Sequence, residues 1–244
     1  MPAFRPISFL NSSTFGSTFI EEGHSCTQLV GNDLVGGTGP LQTGATRVQY
    51  SHLTRPGGKP VDGNADYRLS LSNDVTYKRI RLYFLWDREK GGALLNATGL
   101  LYDLTGTSPD QTSATPQGNC QNAHMCGGWK TPTSGTGKGL TGAERADLFN
   151  RGDTELFLED KSYLKLRELS LSYELPTSMV HKFWNNARYV RVGISGRNLL
   201  TFTSFRGADP ESAEIQRSLA EGVPWEIWAY PPSRSLWFNI DVGF

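Results

Sequence analysis

Asp209 and Glu211 lie two residues apart in the loop Gly207-Ala-Asp-Pro210-Glu211, two carboxylates that could hold a calcium ion or bind a substrate. The same Asp-Pro-Glu run equally serves as a turn followed by a cap. Cys120 and Cys126 sit six positions apart, close enough to bridge inside one loop in an oxidising compartment. His124 between them makes a three-ligand metal site conceivable, but the spacing fits no standard zinc pattern, and Cys26 is left over. The four histidines, His24, His52, His124 and His181, are scattered. There is no G-x-S-x-G elbow and no H-E-x-x-H, and Gly135–Gly139 lacks the spacing of a phosphate-binding loop. These residues form no catalytic constellation and no cofactor site, so no enzyme activity is expected.

The elements that would position such groups are strands. In Ser235–Phe244, Leu236, Phe238, Ile240, Val242 and Phe244 recur at every second position, with Trp237, Asn239, Asp241 and Gly243 between them. A strand of period 2 puts the first set on one face and the second on the other. The apolar face runs to the last residue, whereas soluble domains usually let their final residues fray in water. Outer-membrane barrels have strands of this kind, alternating lipid-facing and lumen-facing residues.

Four more segments alternate likewise. Asp66–Tyr77 and Ile80–Asp87 read as a hairpin over 66–87, joined by a tight Lys78-Arg79 turn. Over 162–203 two strands follow. In Tyr163–Leu175, Leu164 and Leu166 are in one phase, while Leu169, Leu171 and Tyr173 are in the other. That slip predicts either a bulge near Arg167-Glu168 or a segment rising above the membrane. Tyr189–Phe202 is the next strand, where Gly193 and Gly196 suit a bent or closely approached backbone. Thr177–Trp184 predicts a short capped helical turn. Arg68, Arg81, Arg191 and Arg197 fall on the polar faces, where they would line a lumen. Tyr67, Tyr77, Tyr173, Phe202 and Phe244 fall near strand ends, the place of an aromatic girdle.

The connections alternate in length. The short ones are Lys78-Arg79 and Pro176–Arg188; the long ones are 88–161 and 204–234. Outer-membrane barrels have short periplasmic turns and long extracellular loops. With Phe244 at the periplasmic side, both long connections fall outside and both short ones inside. An apolar run at Ala93–Leu104 predicts a helix within the first long loop. Residues 1–65 are less legible: Thr14–Ile20 predicts one strand, and Gly31–Gly63 reads mostly as turn and loop.

Composition agrees with this class. Lys plus Arg and Asp plus Glu number 24 each, so the chain lacks the basic excess of a nucleic-acid binder. Mean hydropathy is −0.40, and no run approaches the ~18 apolar residues of a membrane helix. A barrel strand needs only about 10 alternating residues and averages out in such a profile. The first ten residues lack the basic and apolar regions of a secretory signal. A C-terminus of outer-membrane type with no export signal points to the C-terminal piece of a longer protein.

Particular runs resemble a known family. Asn64–Lys78, continuing through Arg81-Leu-Tyr-Phe-Leu-Trp-Asp87 to Gly92, is similar to a late hairpin of SusC/RagA-type TonB-linked outer-membrane proteins. Tyr163–Pro176 resembles another of that family's strands. The stretch from Arg188 through Gly196-Arg-Asn-Leu-Leu-Thr-Phe-Thr203 resembles its G-x-N-L-x-x-[FW]-T strand. Gly207–Glu211 matches its G-x-D-P-E loop, and Tyr230-Pro-Pro-Ser-Arg-Ser235 its Y-P-x-x-R segment. The likeness covers roughly 60–100 and 155–244.

The resemblance implies an all-β fold: the last antiparallel strands of a 22-stranded barrel with a plugged lumen, partial and open here. A signal peptide, TonB box, plug and early strands are not found in the chain. The implied parent imports a bulky nutrient of oligosaccharide or peptide class. TonB would act through the plug, and a SusD-like lipoprotein would cap the outer face. The implied location is the outer membrane, with lipid against the strands. Ser235–Phe244 would be the closing strand, the signal read by the barrel-assembly machinery. The four arginines would meet plug carboxylates or lumen water. Such a piece should need detergent, since open edges in lipid leave backbone groups unpaired. The competing reading is a secreted or periplasmic β-sandwich binding module, which requires the apolar faces to converge on one core and Phe244 to be buried.

Overall fold

The computed structural model describes residues 17–18, 29–38, 41–52, 62–112, 140–184, 186–211, 225–230 and 232–244. Its elements, in chain order, are β1 (Ser17–Thr18), β2 (Leu29–Val35), β3 (Thr46–His52), β4 (Tyr67–Tyr77), β5 (Ile80–Lys90), β6 (Ala93–Asn96), α1 (Ala97–Thr105), α2 (Gly142–Arg151), a 3-10 turn (Thr154–Phe157), β7 (Leu158–Asp160), β8 (Tyr163–Glu174), α3 (Thr177–Phe183), β9 (Tyr189–Thr203), β10 (Trp225–Glu226) and β11 (Ser235–Gly243). They form two compact units. One comprises 1–66, 90–162 and 204–231; the other comprises 67–89, 163–203 and 232–244.

The second unit is a five-stranded sheet in the order β11-β9-β8-β5-β4. Its registers turn the sequence alternation into rows. One face carries Phe238–Ile194–Leu171–Leu82 and Ile240–Val192–Tyr173–Ile80. The other carries Trp237–Ser195–Ser170–Tyr83 and Asn239–Gly193–Ser172–Arg81. Because neighbouring strands run antiparallel, Glu89, Tyr163 and Thr203 share a row. The long connections therefore leave from one end of the sheet, and 78–79 and 175–188 close the other.

The slip foreseen near Arg167 is present. Leu166 pairs with Trp86, and Glu168 with Leu85, so Arg167 is the extra residue against β5. Against β9 the register also breaks between Leu166 and Glu168, where Asn198 takes a left-handed conformation at φ +52°. Asn is one of the few residues that adopt it cheaply. The bulge absorbs the change of phase, so Leu164 and Leu166 share the face of Leu169 and Leu171. Gly193 leaves room for its cross-strand neighbour: a Cβ there would stand 2.7 Å from the Asn239 Oδ1 atom, and the amide would have to turn aside.

The apolar rows are not a core. Leu236 is 70% exposed, Phe238 71% and Phe244 76%, the reverse of what a sandwich requires. Only near the short-turn end do Val180, Ala187 and Val190 form a small cluster, with Leu175 and Val242 against it. Pro176 precedes α3 and supplies no side-chain cap, so the helix is present but without the cap expected of it.

The other unit holds the main core, made of Leu34, Ala93, Leu95, Leu100, Leu140, Leu148, Phe149, Leu156, Phe157 and Leu158. The described parts of segment 88–161, 88–112 and 140–161, read from sequence as one long loop, are thus folded. Its apolar run splits: Ala93–Asn96 pairs as β6 with β7 and β10, and the helix begins only at Ala97. Asn96 causes the break, accepting the Gly99 N–H at 2.7 Å as an N-cap. Helix α2 escaped the sequence reading although its signal was there. Thr141 and Glu144 form a capping box, and Gly152 ends the helix at φ +114°. The 31–63 stretch, read mostly as turns, contains β2 and β3, paired with a bulge between Gly31 and Asp33. Of Thr14–Ile20, Ser17–Thr18 is a strand paired with β2. Cys26, Cys120, Cys126 and His124 lie outside the described residues.

Candidate functional site

Two surfaces carry polar chemistry, one in each unit. In the sheet, each arginine singled out from sequence finds a carboxylate on the sheet itself. Arg68 Nε lies 2.7 Å from Glu89 Oε2, and Arg81 pairs with Asp74. Arg191 Nη2 lies 3.1 Å from Glu174 Oε2, and Arg197 Nε 2.9 Å from Glu168 Oε1. The last two pairs are direct cross-strand neighbours on β8 and β9, the positions at which opposite charges stabilise a sheet. Arg197 also lies over the Trp237 ring at 5.4 Å. Between the Tyr83 and Trp237 rings, the two serines of their row leave a shallow recess of about 380 Å³. Arg167, read from sequence only as the site of the bulge, reaches Asp87 at 2.7 Å, and Ser70 donates to the other Asp87 oxygen at 3.0 Å.

In the other unit a cleft of about 660 Å³ is bordered by α1, the 108–110 turn, Arg145 of α2, and segments 206–208 and 226–229. Arg145 is nearly buried and reaches Asp110 as well as Asp103. The Arg145 hydrogen bond holds the Asp110 carboxyl down at about 2. Burial works against the Arg145 charge, but bonds to Asp103 and Asp110 outweigh it and raise its pKa further. Deeper in the unit, Glu159 is fully buried and accepts from Asn96 Nδ2 at 3.0 Å, Arg206 Nε at 2.8 Å and the Arg206 N–H at 2.8 Å.

Glu226 is the unusual member of the cleft wall. It is buried, with Oε1 accepting the Ala229 N–H at 3.2 Å. Burial pushes its carboxyl pKa up, and the nearby Glu159 charge adds to the effect, against the Ala229 N–H and the Thr98 hydroxyl.

In the Gly207–Glu211 loop the Glu211 N–H donates to Asp209 Oδ1 at 2.8 Å, which is the turn of the turn-and-cap reading. Asp209 and Pro210 are buried, and Gly207 lines the cleft. Glu226 carries no motif, which is why the sequence reading missed it. Among the described residues no cluster of three His, Cys, Asp or Glu could hold a metal, and no helix is long and apolar enough to cross a membrane.

An open antiparallel sheet with one exposed apolar face and one ion-paired polar face is the architecture of a stretch of outer-membrane-type β-barrel. No family model matches the chain. It is 32% identical over 187 residues to TonB-dependent receptor P3 of Formosa agariphila, a match covering 75% of this chain and 17% of that receptor. To TonB-dependent receptor P26 of the same organism it is 27% identical over 92 residues, covering 36% of this chain and 9% of the relative. Among solved structures, the RagAB peptide importer in its closed-closed state aligns with 97% of this chain and 25% of its own, at 18% identity and a TM-score of 0.50. By sequence the chain is a relative of the TonB-dependent receptors, and its fold is similar to a stretch of the RagAB importer. It spans less than a fifth of the first curated relative's length.

Proposed function

We propose that the chain is the C-terminal barrel stretch of a TonB-dependent outer-membrane transporter that imports a bulky nutrient of oligosaccharide or peptide class. In this reading β4, β5, β8, β9 and β11 cross the outer membrane with Leu236, Phe238, Ile240 and Val242 against lipid. Arg68, Arg81, Arg191 and Arg197 face the lumen. The connections 88–161 and 204–234 are extracellular and meet cargo and a SusD-like lipoprotein. TonB acts through a plug carried elsewhere in the receptor, and β11 is the strand that the barrel-assembly machinery reads. The solved relative is named a peptide importer, which favours peptides among the cargo classes.

The observation that carries the reading is the contrast between the sheet's faces: exposed apolar groups such as Leu236 and Phe238 on one, ion pairs such as Arg191–Glu174 and Arg197–Glu168 on the other, in a sheet whose two edge strands are β4 and β11. A water-soluble sheet would bury the first face. The test is nitroxide scanning of β11 in the full chain folded in lipid-like detergent, in a background without native cysteines. A label at position 238 should be more accessible to oxygen than to a polar nickel reagent, and a label at 239 the reverse. Equal or inverted accessibility would leave the sandwich module as the better reading.

A further inference from the structure

The wall of the cleft beside α1 contains a buried carboxylate, Glu226, with one unsatisfied oxygen. Glu226 is only 1% exposed, and its Oε2 atom has no hydrogen-bond partner. An unsatisfied buried acceptor carries the full cost of its lost hydration. Three features surround that oxygen. Gly207 leaves space: a Cβ there would stand 3.0 Å from Oε2 and would also strike the Phe205 ring. The two cations of the cleft wall are engaged elsewhere, Arg206 with Glu159 and Arg145 with Asp103 and Asp110. In the segment after Glu226, Trp228 adopts φ +47°, a left-handed conformation that costs a bulky residue. Thr98 Oγ1 accepts the Trp228 N–H at 2.6 Å and fixes that conformation. The indole is thereby displayed at the mouth of the cleft, 71% exposed, with Tyr102 also exposed on the wall.

We infer that this cleft is a binding site for a primary ammonium or guanidinium group on a ligand, with Glu226 Oε2 as its acceptor and Trp228 and Tyr102 as its aromatic walls. Charge supports a cation over a neutral hydroxyl. The wall contains two cations, Arg145 and Arg206, against three anions, Asp103, Asp110 and Glu226, and fully buried Glu159 stands close behind. A cation restores balance and gains from the face of an indole or phenol ring. A sugar hydroxyl would satisfy the oxygen but leave the excess charge. Strand closure and transport do not enter this inference, so it can fail while the transporter reading stands.

The test is binding to the full chain in detergent, with acetyl-lysine amide as the cationic probe and its Nε-acetylated form as the neutral isostere. The Glu226 carboxyl carbon, identified by the NMR signal that Glu226→Gln removes, should shift saturably with the cation. The neutral probe and the Glu226→Gln protein should each bind at least about tenfold more weakly, as loss of a charge-assisted hydrogen bond requires. Trp228→Leu, at an exposed position that leaves the core intact, should weaken the cation several-fold. Equal affinity for the two probes, undiminished binding by Glu226→Gln, or a saturable response to maltotriose but not to the cation would overturn the assignment.

Discussion

Arg145 donates from Nε and Nη2 to the two carboxylate oxygens of Asp103, at 2.6 and 2.8 Å, with both side chains almost wholly removed from solvent. This fork fastens α2 to α1 across 42 residues of chain. Removing one partner of such a pair strands the other as a buried charge. Arg145→Met should therefore destabilise the unit by about 3–5 kcal/mol. Denaturant unfolding of the full chain in detergent checks it, and the double substitution with Asp103→Leu should recover part of the loss.

Acid should loosen the same network from its outer side. The folded Asp110 carboxyl is held at about 2, below its ordinary value, because Arg145 hydrogen-bonds its ionised form. The stability it contributes is present above about pH 4 and is lost as pH falls through about 2. Unfolding midpoints taken from pH 5 down to pH 2 should decline, and Asp110→Asn should flatten part of that decline.

Glu226 should behave with the opposite sign. Burial raises its pKa, so the folded state prefers the protonated carboxyl and stability falls as pH rises through the raised value. Glu226→Gln should leave stability unchanged near pH 4 and increase it at pH 8. A decrease at pH 8 would show that the ionised carboxylate is satisfied after all.

On β11, a change of one position should reverse the outcome. Phe238→Arg puts a charge on the exposed apolar face, which costs about 2–4 kcal/mol at a bilayer midplane. Asn239→Arg adds the same charge on the polar face and should cost little. Outer-membrane levels of the receptor carrying each change, measured after equal expression, should fall only for the first.

The bulge makes a register prediction. Deleting Arg167 removes the residue that lets Leu164 and Leu166 share a face with Leu169 and Leu171. Labels placed at 164 and 166 should then exchange their accessibility pattern with those at 163 and 165.

The sheet was legible because its signal is periodic and redundant. Leu236, Phe238, Ile240 and Val242 state the face four times over, and the change of phase at Arg167 announced its own bulge. The 88–161 region was not legible as a folded body. Its core is assembled from residues far apart in sequence, such as Leu34, Leu100, Leu148 and Phe157, and such pairings leave no local period. Helix α2 is the exception, since the Thr141–Glu144 capping box was readable and was passed over. The polar-face arginines were visible from sequence, but not their partners, because Glu168 and Glu174 meet Arg197 and Arg191 only through register. Glu226 was invisible for another reason: what singles it out is a missing partner, and a sequence does not print absences.

The arginines of the sheet have one consequence beyond holding strands together. Arg68, Arg81, Arg167, Arg191 and Arg197 each stand against a carboxylate of the same sheet. To a solute a Debye length away, about 8–10 Å in ordinary salt, such close pairs act as small dipoles of varied direction, whose potentials largely cancel. These five pairs therefore place much charge on the sheet while adding little to the field felt at a distance.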